Sequence, residues 1–287
     1  MALFGRIIQI DIGKSGSIGK SFSDYHINFD IKKNEFGKEP NPCKVVISNL
    51  SSELCSYAFE EKQKLTVKAG YREEHGLEVI FTGDITYVEN RILRPDISTI
   101  IDAGDANNSL RDSKLSISYN IGAQGFQVLK DVIDSFHLPK KTNLQLIKIA
   151  KKVYNNGFSF NGATSTAMDK ICKYLGLTWS IQNEEMKIYE TYNNDRSLAI
   201  ELNSETGLIG TPQRTKISSP ESTTDKTKEI DGWSIESLLQ PKAEPGGIIL
   251  LSNGLNRQKK KYKILTVHHT GDNMESDFKT ILQAVEI

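Results

Sequence analysis

The chain has 287 residues, 36 Lys+Arg against 36 Asp+Glu, and 38% hydrophobic residues. Zero net charge offers no electrostatic footprint for a polyanion, so nucleic acid is not an expected partner. No apolar run approaches the ~20 residues of a membrane span, no signal-peptide core opens the chain, and Cys43, Cys55 and Cys172 show neither C-x-x-C spacing nor an even count. A globular protein with reduced thiols, made in a cytosol, is expected.

The first element is "RIIQIDI", followed by "GKSGSIGKSFSD". Gly19, Lys20 and Ser21 supply the G-K-S ending of a phosphate-binding loop. That loop requires G-x-x-x-x-G-K-[ST] and opens a helix. Here Lys14 occupies the required glycine position, Gly13 falls one residue early, and the chain continues as "DYHINFDIK", where apolar and polar residues alternate. Period two is a strand signal, so the stretch reads as strand, polar loop, strand, without nucleotide chemistry.

Alternation continues through "KLTVKAGY", "VIFTGDITYVE", "DISTIIDAG" and "KLSISYNIG", with turn residues between the runs. This spacing predicts an antiparallel sandwich or barrel over 1–121. The character then changes. "AQGFQVLKDVIDSFHL" carries Phe126, Leu129, Ile133 and Phe136 at helical spacing before Pro139. "NLQLIKIAKKVYNNG" fits helix or strand equally. "TSTAMDKICKYLG" reads as a helix from a Ser/Thr cap to Gly176, and "LTWSIQNEEMKIYE" reads as a hairpin. Residues 122–192 are thus expected to form a small α+β insert. The last region, 193–287, opens with a Ser/Thr/Pro-rich stretch at 204–230 that reads as a long loop, then returns to strands in "GWSIESLLQ", "GGIILLSN", "KYKILTVHH" and "DFKTILQAVEI". "VIFTGDITYVE" and "TVHHTGD…DFKTILQAVEI" echo one another loosely. The expected fold is mainly β (α+β), two antiparallel β-barrel or sandwich domains around the insert.

The candidate chemistry is sparse. His268 and His269 with Asp272, Glu275 and Asp277 suggest a metal set, but adjacent strand residues point to opposite faces, and "TGDNMESD" has the composition of a turn. The pairs Glu60/Glu61, Glu73/Glu74 and Glu184/Glu185 lie in polar stretches and read as solvated surface, whereas an acid/base pair needs a carboxyl in an apolar setting. The basic run "RQKKKYK", 257–263, reads as a hairpin tip. Trp179 and Trp233 read as core residues. No catalytic, cofactor-binding or metal-binding residue is therefore expected, and neither is enzymatic turnover.

In the last third, "TGLIGTPQR", "GWSIESLLQPKAEPGGIILLSN" and "YKILTVHHTGDNMESDFKTILQAVEI" appear in an order that resembles the hub proteins of contractile phage tails, the Mu-like baseplate hubs and their relatives in tail-derived bacteriocins and injection systems. "CKVVISNLS", "LTVKAGY", "VIFTGDI" and "GFSFNGATSTAMDKICKYLGLTWSI" agree, so the resemblance spans nearly the whole chain. It implies two domains similar to the tail-tube subunit and a homotrimer whose pseudo-sixfold ring meets a hexameric tube on one face and the central cell-puncturing spike on the other. The implied partners are the spike, tube or tube-initiator proteins, other baseplate proteins and the tape measure protein. The implied location is the virion tail baseplate, assembled in the bacterial host cytoplasm. The second reading is a β-rich receptor- or carbohydrate-binding tail protein; aromatics at 8%, mostly in strand positions, rank it lower.

Overall fold

A computed structural model describes residues 5–14, 19–35, 39–60, 63–74, 76–93, 95–138, 152–190, 199–220, 227–253, 256–275 and 277–287. The fold is mainly β. The first region holds β1 (Arg6–Lys14), β2 (Lys20–Phe22), β3 (Ile27–Asn34), β4 (Pro42–Ser48), α1 (Ser52–Ala58), β5 (Gln63–Tyr71), β6 (Gly76–Leu93), β7 (Asp96–Gly104) and α2 (Asn107–Asp112). The α+β region follows with β8 (Lys114–Tyr119), β9 (Ala123–Gln124), α3 (Gly125–Asp134), β10 (Val153–Tyr154), β11 (Phe158–Ala163), α4 (Thr164–Leu175), β12 (Leu177–Gln182) and β13 (Glu185–Glu190). The last region holds β14 (Ile200–Leu202), β15 (Leu208–Pro220), β16 (Thr227–Leu238), β17 (Ile248–Asn253), β18 (Asn256–Asp272) and β19 (Phe278–Glu286).

The two β regions are not separate sheets. One 13-stranded sheet runs β15-β16-β19-β18-β3-β4-β7-β6-β5-β1-β2, with β17 on β18 and β14 parallel to β17. The joint is β3 against β18, in antiparallel register from Thr266↔Asn34 to Asp272↔Asn28. The alternation that predicts these strands also buries them: in β3 every odd position from Ile27 to Lys33 is buried, and in β19 Phe278, Thr280, Leu282 and Ala284 face inward. A one-residue slip would turn these sets out to solvent, so the pattern fixes the register.

Side chains gather in three cores. The first collects Ile8, Ile10, Phe29, Ile31, Val45, Val67 and Phe81 from the first region, and also takes Leu239 and Phe278 from the last. The second belongs to the α+β region, with Val128, Leu129, Met168, Ile171 and Trp179 packed beside Ala106 and Leu110. The third lies under β14 and β16–β19.

The Ser/Thr/Pro-rich stretch 204–230 is a correction to the loop expectation. β15 and β16 form a long hairpin, paired from Leu208↔Ser237 to Pro220↔Thr227 with a bulge between Ile209 and Gln213. Its Thr and Ile residues are β-branched and suit extended backbone, and it is largely exposed, which hides the alternation. β8, which the alternation groups with the strands before it, pairs with β11 in the α+β region. The α4 helix ends at Gly176 in the left-handed conformation as expected, but its N-cap is Ala163, without a side-chain bond, and the neighbouring Thr164 is buried. The ambiguous segment "NLQLIKIAKKVYNNG" lies largely outside the described residues.

Candidate assembly site

Most of the sequence candidates fall among the described residues. The G-K-S stretch is part of a hairpin, with Ile10↔Phe22 and Ile12↔Lys20 paired, and residues 15–18 lie outside the described residues. Lys20 Nζ reaches Glu53 at 3.3 Å and sits 4.8 Å from the Tyr57 ring centroid. Both partners of that ion pair are solvent-exposed, so Lys20→Ala is expected to change unfolding free energy by no more than about 0.5 kcal/mol. Denaturant titration checks this; a loss above about 2 kcal/mol would contradict it.

The histidines point apart, as the strand geometry requires. His268 Nε2 donates to Asp30 at 2.8 Å on the outer face. His269 is fully buried, its Nδ1 2.9 Å from the Thr280 hydroxyl. Burial pushes the His269 pKa down to about 3, and Lys33 adds to the shift. The "TGDNMESD" stretch is a turn, in keeping with its composition: Asp272 Oδ1 accepts from the Met274 and Glu275 N–H groups, both at 2.8 Å. Burial works to raise the Asp272 pKa, but these donors and the His26 ring, 2.9 Å away, hold it below the usual carboxylate value. Asn273 completes the staple, accepting from Ile27 N at 2.9 Å and donating to Tyr25 O at 2.7 Å.

Trp179 is buried and donates to Asp169 at 2.9 Å; Trp233 packs on the third core beneath Arg214. The basic run is not a hairpin tip. It lies within β18, paired along β17, where Lys259 meets Glu201 at 2.8 Å, Lys260 meets Glu286 at 2.7 Å, and Lys263 pairs with the buried Glu35. Of the acidic pairs, Glu60 is exposed beside Lys14 at 3.0 Å, and Glu61 lies outside the described residues. Glu184 is the exception to the solvated reading: it is 7% exposed and pairs with Lys64.

Glu184 belongs to a buried polar seam that the sequence reading missed. Asn183 and Glu184 form the two-residue β12–β13 turn, both with positive φ (53° and 64°), as a type I′ hairpin requires. The turn meets residues of the first and last regions, Asp105 and Lys64 on one side and Glu244 on the other. Both carboxylate oxygens of Asp105 accept its backbone, from Asn183 N at 2.6 Å and Glu184 N at 2.9 Å. Lys33 donates to the Asn183 side chain at 3.2 Å, which in turn donates to Glu244 at 3.2 Å. Asn41 donates to Ile181 O at 2.9 Å and Gln182 donates to Asn34 O at 2.8 Å. Asp105 is completely buried. Burial pushes its pKa up to about 7, against the opposing pull of the Glu184 N–H, Lys33 and the Asn183 N–H. One signal was present in the sequence: the inward phase of β3, Ile27-Phe29-Ile31, continues onto Lys33 and then Glu35, and charges at inward positions demand partners.

Beside the seam lies a shallow cleft lined by Asn34, Asn41, Asp105, Leu110, Ser180 and Ile181, too tight to enclose a small molecule. Among the described residues, no three His, Cys, Asp or Glu side chains converge as metal ligands. The arrangement offers surfaces. The β6–β7 hairpin runs out to Leu93↔Asp96 and exposes Tyr87 (54%), Ile92 (68%) and Ile97. Among the described residues, β15 ends the sheet with one edge unpaired, a position suited to strand addition.

Comparison with known proteins gives this architecture relatives. Residues 23–220 match the model of the family described as Baseplate hub gp41. No curated protein matches the chain by sequence. Similar solved structures include the 43 kDa tail protein of prophage MuSo2 from Shewanella oneidensis, with TM-score 0.64 and 9% identity over 98% of each chain. The tail protein of Neisseria meningitidis MC58 has TM-score 0.65 and 10% identity, covering 99% of this chain and 97% of that one. The E. coli c3393 protein, a component of the type VI secretion system, has TM-score 0.62 and 10% identity over 96% of this chain and 76% of that one. At these identities the solved structures establish the fold.

Proposed function

Because this chain belongs to the Baseplate hub gp41 family, a component of the phage tail baseplate, we propose that three copies close into a ring that joins the tail tube to the central spike. The observation carrying this reading is the fusion of two antiparallel β regions into one sheet through β3 and β18. A ring of three such chains carries six β regions and can meet a sixfold tube without a change of subunit number. Closed rotational symmetry then repeats the same interface at each joint. The exposed apolar residues of the β6–β7 hairpin and the free edge of β15 supply the material for that interface, since large exposed apolar patches mark protein contacts. In this reading the protein works by geometry, without turnover, and partners with the spike, the tube and neighbouring baseplate proteins after assembly in the host cytoplasm.

Light scattering of the purified protein, alone and with its genomically adjacent spike candidate, tests the ring. The expected mass of the hub component is three times the chain's 32.1 kDa in at least one sample. A strict monomer in both would overturn the trimer.

A further inference from the structure

Among the described residues, the α+β region and the β framework share apolar core members only at Ala106 and Leu110. The second core takes in Ala106 and Leu110 just before β8, and its remaining members lie within 115–188. At the seam itself the contact is polar and concentrated on residues 181–184. Two N–H groups of the turn meet Asp105, its side chains meet Lys33, Lys64 and Glu244, and the residues before it meet Asn41 and Asn34. Apolar packing is non-directional and indifferent to pH; hydrogen bonds to a buried carboxylate are directional and sensitive to its charge.

We propose that β8–β13 with α3 and α4 form a unit that releases from the β framework as one body, with the Asn183–Glu184 turn as its latch and Asp105 as the catch. The charged groups that act on the catch are Lys33 at the end of β3 and Glu184 of the turn; around them Lys64 of β5 pairs with Glu184, Glu244 after β16 accepts from Asn183, and Lys263 of β18 pairs with Glu35. For the Asp105 carboxylate, the attraction of Lys33 is set against full burial and the like charge of Glu184. His269, the nearby imidazole, faces Thr280 inside the framework and stays neutral.

The direction of control follows from proton linkage. Docked, Asp105 holds its proton up to about pH 7; released into water, it titrates near the ordinary aspartate value of about 3.9. Docking therefore binds a proton between these values, and rising pH favours release by at most about tenfold per pH unit.

Hydrogen–deuterium exchange of the full chain tests this, followed by mass spectrometry of peptides covering 177–190 and corrected for the intrinsic pH dependence of amide exchange. Protection of this hairpin is expected to fall about tenfold or more between pH 5.5 and pH 7.5 while core strands β1, β5 and β19 stay protected. In Asp105→Asn the hairpin's protection should lose that pH dependence. Hairpin and core strands exchanging together at every pH in the wild-type protein would overturn the separate unit, and an equal pH slope in Asp105→Asn would overturn the catch. The wild-type comparison decides the first point even if the variant does not fold.

Discussion

Phe278→Ala is expected to remove about 3–5 kcal/mol of unfolding free energy, read as a drop in denaturant midpoint with an unchanged slope. Phe278 starts β19 in the last region, yet its ring is buried in the first region's core. It stands edge-on to Tyr71, with ring centroids 5.3 Å apart, and to Phe29 at 6.3 Å, and the Arg6 guanidinium lies 5.4 Å from its centroid. Tyr71 ties the same point from the other side, its hydroxyl oxygen accepting from Leu239 N at 3.0 Å. Alanine would leave a cavity walled by three strands with no means of collapse. A loss below about 1 kcal/mol would show that the two regions do not depend on this ring.

The second large effect is a pair of opposed pH dependences. His269 has its pKa pushed down to about 3 by burial. Between that value and about 6.5 the unfolded chain binds a proton that the native one refuses, so His269 makes stability fall as pH falls. Asp105, raised to about 7, does the reverse: between about 3.9 and 7 the native chain holds a proton that the unfolded one has lost, and stability falls as pH rises. Each contributes at most about 1.4 kcal/mol per pH unit. Over roughly pH 4 to 6.5 they nearly cancel. His269→Gln should therefore gain stability on acidification relative to wild type across this window, and Asp105→Asn should lose it. Unfolding titrations at several pH values measure both slopes. Parallel slopes in all three proteins would refute the assignment.

Strand order along the chain was legible because alternation is enforced by burial: β1, β3, β5 and β19 each keep one inward face. The α3 and α4 helices were legible through apolar spacing, and the C-terminal stop of α4 through Gly176. The β15–β16 hairpin was not, because its composition is that of a loop and its pairing is exposed, leaving little burial to write a pattern. The polar seam was hidden for a different reason. Asp105, Glu184 and Lys64 are separated by tens of residues, and each alone looks like surface; their burial comes from the contact of the β12–β13 turn with the first region. The β3–β18 joint could not be read locally either, since both strands alternate like any others, and pairing across the whole chain is written in no single segment.

That joint sets the order of events during synthesis. Its partners, residues 27–34 and 266–272, are separated by nearly the full chain, giving the fold a high contact order and slow closure. At about 5–20 residues per second, translating the residues between them takes on the order of ten to fifty seconds. Throughout that interval β3 presents an open edge beside β4, and the space between Phe29 and Tyr71 awaits the Phe278 ring. An unpaired edge of this kind is a template for pairing with another chain. On the polysome, where nascent copies are crowded together, the N-terminal half is thus most exposed to mispairing just before the last strands arrive to seal it.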